Sequence, residues 1–409
     1  MNSARRAELY RRMLIVAGFF LLIGVVIVVK MVALQTTPGV EGLPDTESRS
    51  FEPQRGSVFD ANGYLLAVST TVYDLAAMPK SITDTLGTAD KLSGILRRPS
   101  LDILQILQQP TTYVRIQRGI RQEQADQVKA LRLGGLQLEP RPARFYPNND
   151  LAVSVLGFVT EDGKASHGIE AEYDEELGGQ RGYRVPDRDA MGGLVYRYYP
   201  PQDGIDLYLT LDRNIQYLTE EALERGVATT QARKGIAIVL DPRTGAVLAM
   251  AVYPDYDPNT RDVTDKSIFI NSAVSDAYEP GSVFKVITIV SALDAGTITP
   301  SSTYYDSGEL IVGGRPIRNS DLKAHGETSI RDLLAKSLNV GSATVSTRMG
   351  AKKFYEYLNR FHFGNLTGID LAQETAGWVR QPGNPEWHES DLATNSYGQG
   401  LAITPLQMV

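Results

Sequence analysis

Glu279-Pro280-Gly281-Ser282-Val283-Phe284-Lys285-Val286-Ile287-Thr288-Ile289-Val290-Ser291-Ala292-Leu293-Asp294-Ala295-Gly296 reads as a helix. Pro280 and Gly281 open it and Gly296 closes it, while Val283, Val286, Ile287, Val290 and Leu293 recur at the spacing of one apolar stripe, which is expected to face the core. Ser282 then stands at the helix start and Lys285 three residues on, close enough for its amine to reach the serine hydroxyl. A serine hydroxyl is a weak nucleophile at neutral pH, and a lysine kept neutral by burial can take its proton. The helix start adds free N–H donors for developing negative charge. Spacing alone does not decide for catalysis: with 25 serines and 12 lysines, chance supplies about one Ser-Xaa-Xaa-Lys. A second match, Ser320-Asp321-Leu322-Lys323, follows Gly313, Gly314 and Pro316 with no apolar period and reads as a solvated loop.

Upstream, Leu207, Leu209 and Leu211 alternate with Tyr208 and Thr210 as a strand, and Asp212 starts a helix with Ile215, Leu218, Ala222 and Leu223 on one face. Residues 234–241 and 245–253 read as two apolar strands of an antiparallel hairpin joined by Pro242-Arg243-Thr244. Downstream, Ser329-Ile330-Arg331-Asp332 has the spacing of a capping box, and the short helix it opens stops at Ser337-Leu338-Asn339. A hydroxyl and an amide two residues apart can face one cleft, the first relaying protons and the second holding a peptide. They can equally be cap residues at a helix end. An antiparallel sheet packed against helices, with the nucleophile at the start of one of them, is the architecture these segments predict.

The N-terminal half carries a different message. Met13 to Leu34 is apolar except for Lys30 and two glycines, long enough as a helix to cross about 30 Å of hydrocarbon. Arg5, Arg6, Arg11 and Arg12 precede it against a single Glu8, so the positive-inside rule leaves residues 1–12 in the cytoplasm and the rest of the chain outside. No small-Xaa-small cleavage site follows, which favours an uncleaved anchor over a signal peptide. A hairpin is expected at residues 55–67 around Asp60 to Gly63, helices at 101–107 and 122–133, and a solvated acidic face at Glu170, Glu172, Asp174, Glu175 and Glu176. Residues 35–202 form a non-catalytic mixed module in this reading, and a second domain occupies 203–409. A net charge of −7 without a basic patch sets nucleic acid aside. The absence of cysteine and the scatter of His167, His325, His362 and His388 give no metal site and no cofactor.

Taken together, these residues resemble the class B penicillin-binding proteins, the membrane-anchored peptidoglycan D,D-transpeptidases. That family carries Ser-Xaa-Xaa-Lys, then Ser-Xaa-Asn, then Lys-Thr/Ser-Gly; Ser282 to Lys285 and Ser337 to Asn339 match the first two. Further hallmarks agree in order: Arg55-Gly56 with Asp60, Asn62 and Gly63, then Gly168-Ile169-Glu170, Leu209-Thr210-Leu211-Asp212 with Gln216, Asp257-Pro258-Asn259, and Tyr397-Gly398-Gln399-Gly400. The resemblance implies an α+β chain: a transmembrane helix, a pedestal (dimerisation-type) domain, and a transpeptidase domain of the penicillin-binding and serine β-lactamase fold. Catalytic roles fall to Ser282 as nucleophile, Lys285 as base and Ser337 as proton relay, with Asn339 holding the donor peptide. The implied partners are peptidoglycan stem peptides ending in D-Ala-D-Ala, β-lactams, and membrane proteins of division or elongation, including a glycan polymerase. The compact first module resembles the septal, division-specific branch more than the elongation branch. No Lys-Thr-Gly or Lys-Ser-Gly occurs through Val409, so the transpeptidase domain is expected to be incomplete at its C-terminal end. A hydrolase of the same fold and a non-catalytic scaffold of the wall-synthesis complex are the rival readings.

Overall fold

The computed structural model describes residues 21–30, 49–188, 194–261 and 263–409. Residues 21–30 are helical; the rest of the expected span from Met13 to Leu34, and residues 1–12, lie outside the described residues. Among the described residues no helix is long and apolar enough to cross a membrane. The chain divides into two units, Met1–Phe51 with Gly182–Pro200, and Glu52–Arg181 with Pro201–Val409. The first contains an antiparallel sheet in which Gly182–Arg188 runs between Arg49–Phe51 and Leu194–Tyr199. Its surface is aromatic: Tyr183 stacks on Tyr199 at 4.6 Å between centroids, and the Arg184 guanidinium lies 3.9 Å over the Tyr196 ring.

In the second unit the hairpin expected at residues 55–67 is present. Its second strand, Leu65–Ala77, is the long central strand, paired antiparallel with Val58–Phe59, Val114–Ile120 and Leu136–Phe145. Helices Thr85–Leu96, Ser100–Leu107 and Gln122–Ala130 cover it around Leu75, Leu92, Ile103 and Val128. The hairpin turn is held by Asp60, which is fully buried and accepts from the N–H groups of Asn62, Tyr64 and Arg213. Asn62 donates in turn to Asp212 at 2.9 Å. Strand Leu207–Tyr208 pairs in parallel with Val58–Phe59.

In the acidic segment Glu172, Asp174, Glu175 and Glu176 are exposed as expected, and one residue departs. Glu170 is not on a solvated face but fully buried, bound by Arg55 Nε at 2.7 Å and Arg144 Nε at 2.6 Å. A buried carboxylate is tolerated only when paired and hydrogen-bonded, and Tyr146 adds a third donor at 3.3 Å. Gly56 beside this cluster has a backbone reason to be glycine: a Cβ there would lie 1.8 Å from the Ile205 carbonyl oxygen.

Asp212 caps the helix Arg213–Thr230 as expected, accepting from the N–H groups of Asn214 and Ile215. The inward face of that helix is only partly the apolar one expected, with Ile215 and Leu223 half-buried. Leu218 is exposed, while Gln216 and Val227 are buried. Gln216 accepts from the Met250 N–H at 2.8 Å and donates to its carbonyl at 3.0 Å, so this amide serves Met250 as a strand neighbour would. Met250 lies on Val247–Tyr253, which pairs antiparallel with Gly235–Leu240 as the predicted hairpin. Beyond it, the helices Lys285–Asp294, Asn339–Met349, Ala351–Arg360 and Glu389–Asn395 enclose a separate core around Phe284, Ile289, Val345, Phe354 and Leu392.

Candidate active site

The serine segment is a 3-10 turn over Gly281–Phe284 that runs into the α-helix Lys285–Asp294. Its buried face is rotated from the one expected: of the predicted stripe, Ile287 and Leu293 are half-buried against the core. Val283, Val286 and Val290 are exposed, whereas Phe284, Lys285, Thr288, Ile289, Ser291 and Ala292 are buried. Half of the inward residues, Thr288, Ser291 and Ala292, are small or hydroxyl-bearing, and the helix packs on Asn339–Met349. Their polar atoms have partners. Thr288 and, from the neighbouring helix, Ser342 both donate to the Ser396 carbonyl at 2.7 Å. The Gly281 N–H donates to the Gly398 carbonyl at 2.9 Å. A Cβ at Gly398 would come within 2.3 Å of the Gly281 oxygen, so the Tyr397 to Gly400 segment seats the serine turn through a contact only glycine allows.

Side chains three apart eclipse in a 3-10 turn. Ser282 is exposed and Lys285 only 1% exposed, yet their Oγ and Nζ stand 3.2 Å apart. The amine also reaches the Ser337 carbonyl at 2.7 Å, Ser337 Oγ at 3.0 Å and Asn339 Oδ1 at 2.9 Å. An ammonium has three protons for these four partners, and Ser282 is the longest contact. A neutral amine serves as many of them: it donates to the carbonyl and the amide oxygen and accepts from a hydroxyl with its lone pair. No partner carries a charge. Burial in this shell lowers the Lys285 pKa to about 8.

Ser337 and Asn339 arrive from two helices. The helix Ile330–Lys336 opens on the expected cap, Ser329 accepting from the Asp332 N–H, and ends at Ser337 in the left-handed conformation, φ 57° and ψ 50°. That twist turns both oxygens of Ser337 toward Lys285. Leu338 is buried, and Asn339 begins the next helix without its side chain capping it. Asn339 Nδ2 donates instead to the Arg318 carbonyl at 3.1 Å. Both faces of its amide are thereby fixed: the Arg318 carbonyl can only accept, so Nδ2 must face it, and Oδ1 is left toward the Lys285 amine. The structure thus brings Ser282, Lys285, Ser337 and Asn339 to one point. Ser320 and Lys323 are both exposed in a loop, as expected. Among the described residues no group of three or more His, Asp or Glu side chains is arranged to hold a metal ion.

Sequence reading passed over Thr288, Ser342, Asp306 and Asn319. The first two were legible only as hydroxyl residues in helices; the last two had no local signal.

The chain is similar to known proteins along most of its length. Residues 50–209 match the penicillin-binding protein dimerisation domain, and residues 235–409 match the penicillin binding protein transpeptidase domain. Probable peptidoglycan D,D-transpeptidase PenA of Neisseria gonorrhoeae is 35% identical over 87% of this chain and 61% of its own length. Stage V sporulation protein D of Bacillus subtilis (strain 168) is 32% identical over 89% of this chain and 58% of its own. Peptidoglycan D,D-transpeptidase FtsI of Escherichia coli (strain K12) is 30% identical over 87% and 61%. The chain therefore spans about three fifths of the length of the curated relatives it matches. Penicillin Binding Protein 2X from Streptococcus thermophilus has the same fold, with a TM-score of 0.70 at 24% identity over 88% of this chain and 58% of that one. Fold and site define a two-domain penicillin-binding architecture, a dimerisation module followed by a transpeptidase domain. The chain belongs to the class B penicillin-binding proteins, the peptidoglycan D,D-transpeptidase family that includes division-type members.

Proposed function

We propose that this protein cross-links peptidoglycan through an acyl-enzyme on Ser282. The observation that carries the reading is the buried Lys285 amine 3.2 Å from the exposed Ser282 hydroxyl, in a shell without charge. Ser282 Oγ attacks the penultimate D-Ala carbonyl of a stem peptide and gives its proton to Lys285. The Ser282 backbone N–H, at the start of its turn, serves the developing oxyanion. Lys285 returns the proton through Ser337 to the departing D-Ala amine while Asn339 holds the donor peptide. An amine of a second strand then reverses these steps and takes the acyl group. A β-lactam is attacked in the same way, its ring amide opening to leave an ester on Ser282. A scaffold protein has no use for a desolvated lysine beside an exposed serine, so this geometry favours the enzyme.

The working state of Lys285 is the neutral one, which fixes the sign of the pH dependence. Second-order labelling by a fluorescent penicillin should rise with pH and reach half its plateau near pH 8, reporting the free enzyme. An unperturbed lysine would place that midpoint roughly two units higher. A flat profile between pH 6 and 9.5 would argue against Lys285 as the base.

Around this chemistry we place a single-pass anchor at residues 13–34, a pedestal domain at 35–202 and a serine β-lactamase-like transpeptidase domain from residue 203. The catalytic side faces the periplasm or its equivalent outside the plasma membrane. Septal synthesis during division is the role this reading favours over elongation, with a membrane-embedded glycan polymerase as the expected neighbour. Support for the anchor comes from the four arginines ahead of an apolar run. Protease added to intact spheroplasts should digest the domains while sparing a cytoplasmic marker; survival of both, or a mature N-terminus beyond Leu34, would overturn the topology.

A further inference from the structure

Asn319 is 1% exposed and its side chain is fully committed. Its Nδ2 donates to both carboxylate oxygens of Asp306, at 3.1 and 2.9 Å, and to the Lys323 carbonyl at 3.1 Å. Its Oδ1 accepts from the Val340 N–H at 3.0 Å. Asp306 is fully buried at the end of strand Thr303–Asp306, and its other donor is the Gly308 N–H at 2.8 Å. A buried carboxylate among neutral donors is costly to keep, so a purely structural position would be better filled by an apolar residue. The value of the pair lies in where it ends. The Val340 N–H belongs to the first turn of the helix that Asn339 begins, and the residue before Asn319, Arg318, holds the Asn339 amide through its carbonyl. The loop 318–319 therefore grips consecutive residues 339 and 340, one by side chain and one by backbone.

We propose that Asn319, locked by Asp306, is a positioning residue for acyl transfer: it fixes the register of residues 337–340 and so keeps the Asn339 amide oxygen on Lys285. The proposal rests on the acyl-transfer reading of the site. With Asn339 free to swing, the ammonium form of Lys285 loses one acceptor, so the amine is held neutral to lower pH while Ser337 and Asn339 are misplaced for catalysis.

The test uses the full-length protein, a fluorescent penicillin and a pH series. Asn319→Leu, of nearly the same shape, should lower the plateau labelling rate at Ser282 by about tenfold to a hundredfold, as expected for displacement of a catalytic group by about an ångström. Its pH midpoint should move below that of the wild type. The exchange variant, Asp306→Asn with Asn319→Asp, keeps an amide facing a carboxylate and leaves an acceptor under the Val340 N–H, giving up only the donor to the Lys323 carbonyl. It should recover most of the rate and return the midpoint toward the wild-type value. Should Asn319→Leu not fold, the exchange variant decides: folded and close to wild type in rate supports the proposal, folded and slow overturns it. A folded Asn319→Leu with wild-type rate, or with a loss matched by its folded fraction and an unmoved midpoint, overturns it too. Wild-type protein that takes no label at Ser282 overturns both this proposal and the acyl-transfer reading; a labelled wild type with indifferent variants overturns this one alone.

Discussion

Ser282→Ala should abolish covalent labelling of the full-length protein by a fluorescent penicillin, and Lys285→Met should slow it by about a thousandfold, within the range ascribed to general-base catalysis. Methionine fills much of the same volume but cannot take a proton. The two losses can be told from unfolding because the lysine is expensive to bury. Its pKa is about 8 in the folded protein against an ordinary value of 10.5. The unfolded chain therefore binds the proton more tightly, and the penalty builds up as pH falls from 10.5 to 8 and is fully present below 8. It amounts to about 3 kcal/mol. Lys285→Met relieves it, at the cost of leaving the Ser337 carbonyl and Asn339 amide oxygen without that donor, so the variant should melt no lower than the wild type at pH 6. Intact-protein mass spectrometry after β-lactam treatment should place the adduct on Ser282. An adduct on Ser320, or rapid labelling of folded Lys285→Met, would sink the assignment.

The second large effect concerns stability alone. Glu170→Ala should cost about 3 to 5 kcal/mol, because it leaves the Arg144 guanidinium, 1% exposed, with no carboxylate opposite it. At the size of this chain that corresponds to a fall in melting temperature of about 4 to 6 °C. Arg55 loses the same partner but keeps Asp174 and the Glu170 backbone carbonyl, so Arg144 dominates the cost. Glu170 touches none of the four site residues, and labelling of Ser282 per folded molecule should be unchanged. A melting temperature within a degree or two of the wild type would show that water or a rearranged side chain can replace the carboxylate.

What the sequence revealed, and what it hid, divides by the range of the interaction. Ser282 with Lys285 and Ser337 with Asn339 were legible because each pair is local, a turn or a helix junction that a few residues specify. The face of the serine helix was not. Counting apolar residues selects the row of Val283, Val286, Ile287, Val290 and Leu293, of which the three valines are exposed; the buried row contains Lys285 and Thr288, whose polar atoms are satisfied by Ser337, Asn339 and Ser396, far along the chain. Gln216 and Glu170 misled for the same reason, one standing in for a strand and the other closing an ion pair across 115 residues of chain. Asp306 and Asn319 are only 13 residues apart, but nothing in either neighbourhood announces that a carboxylate and an amide will meet under the first turn of a helix.

The left-handed backbone at Ser337 has a consequence for how this chain can change. Most side chains pay about 1 to 2 kcal/mol to sit there, and glycine does not. Glycine at 337 would relax the turn, still offer its carbonyl to Lys285, and remove the hydroxyl. Drift toward a sturdier protein and retention of the proton relay thus pull this codon in opposite directions. On the acyl-transfer reading, a copy released from selection for turnover would be free to take glycine at 337 and become more stable.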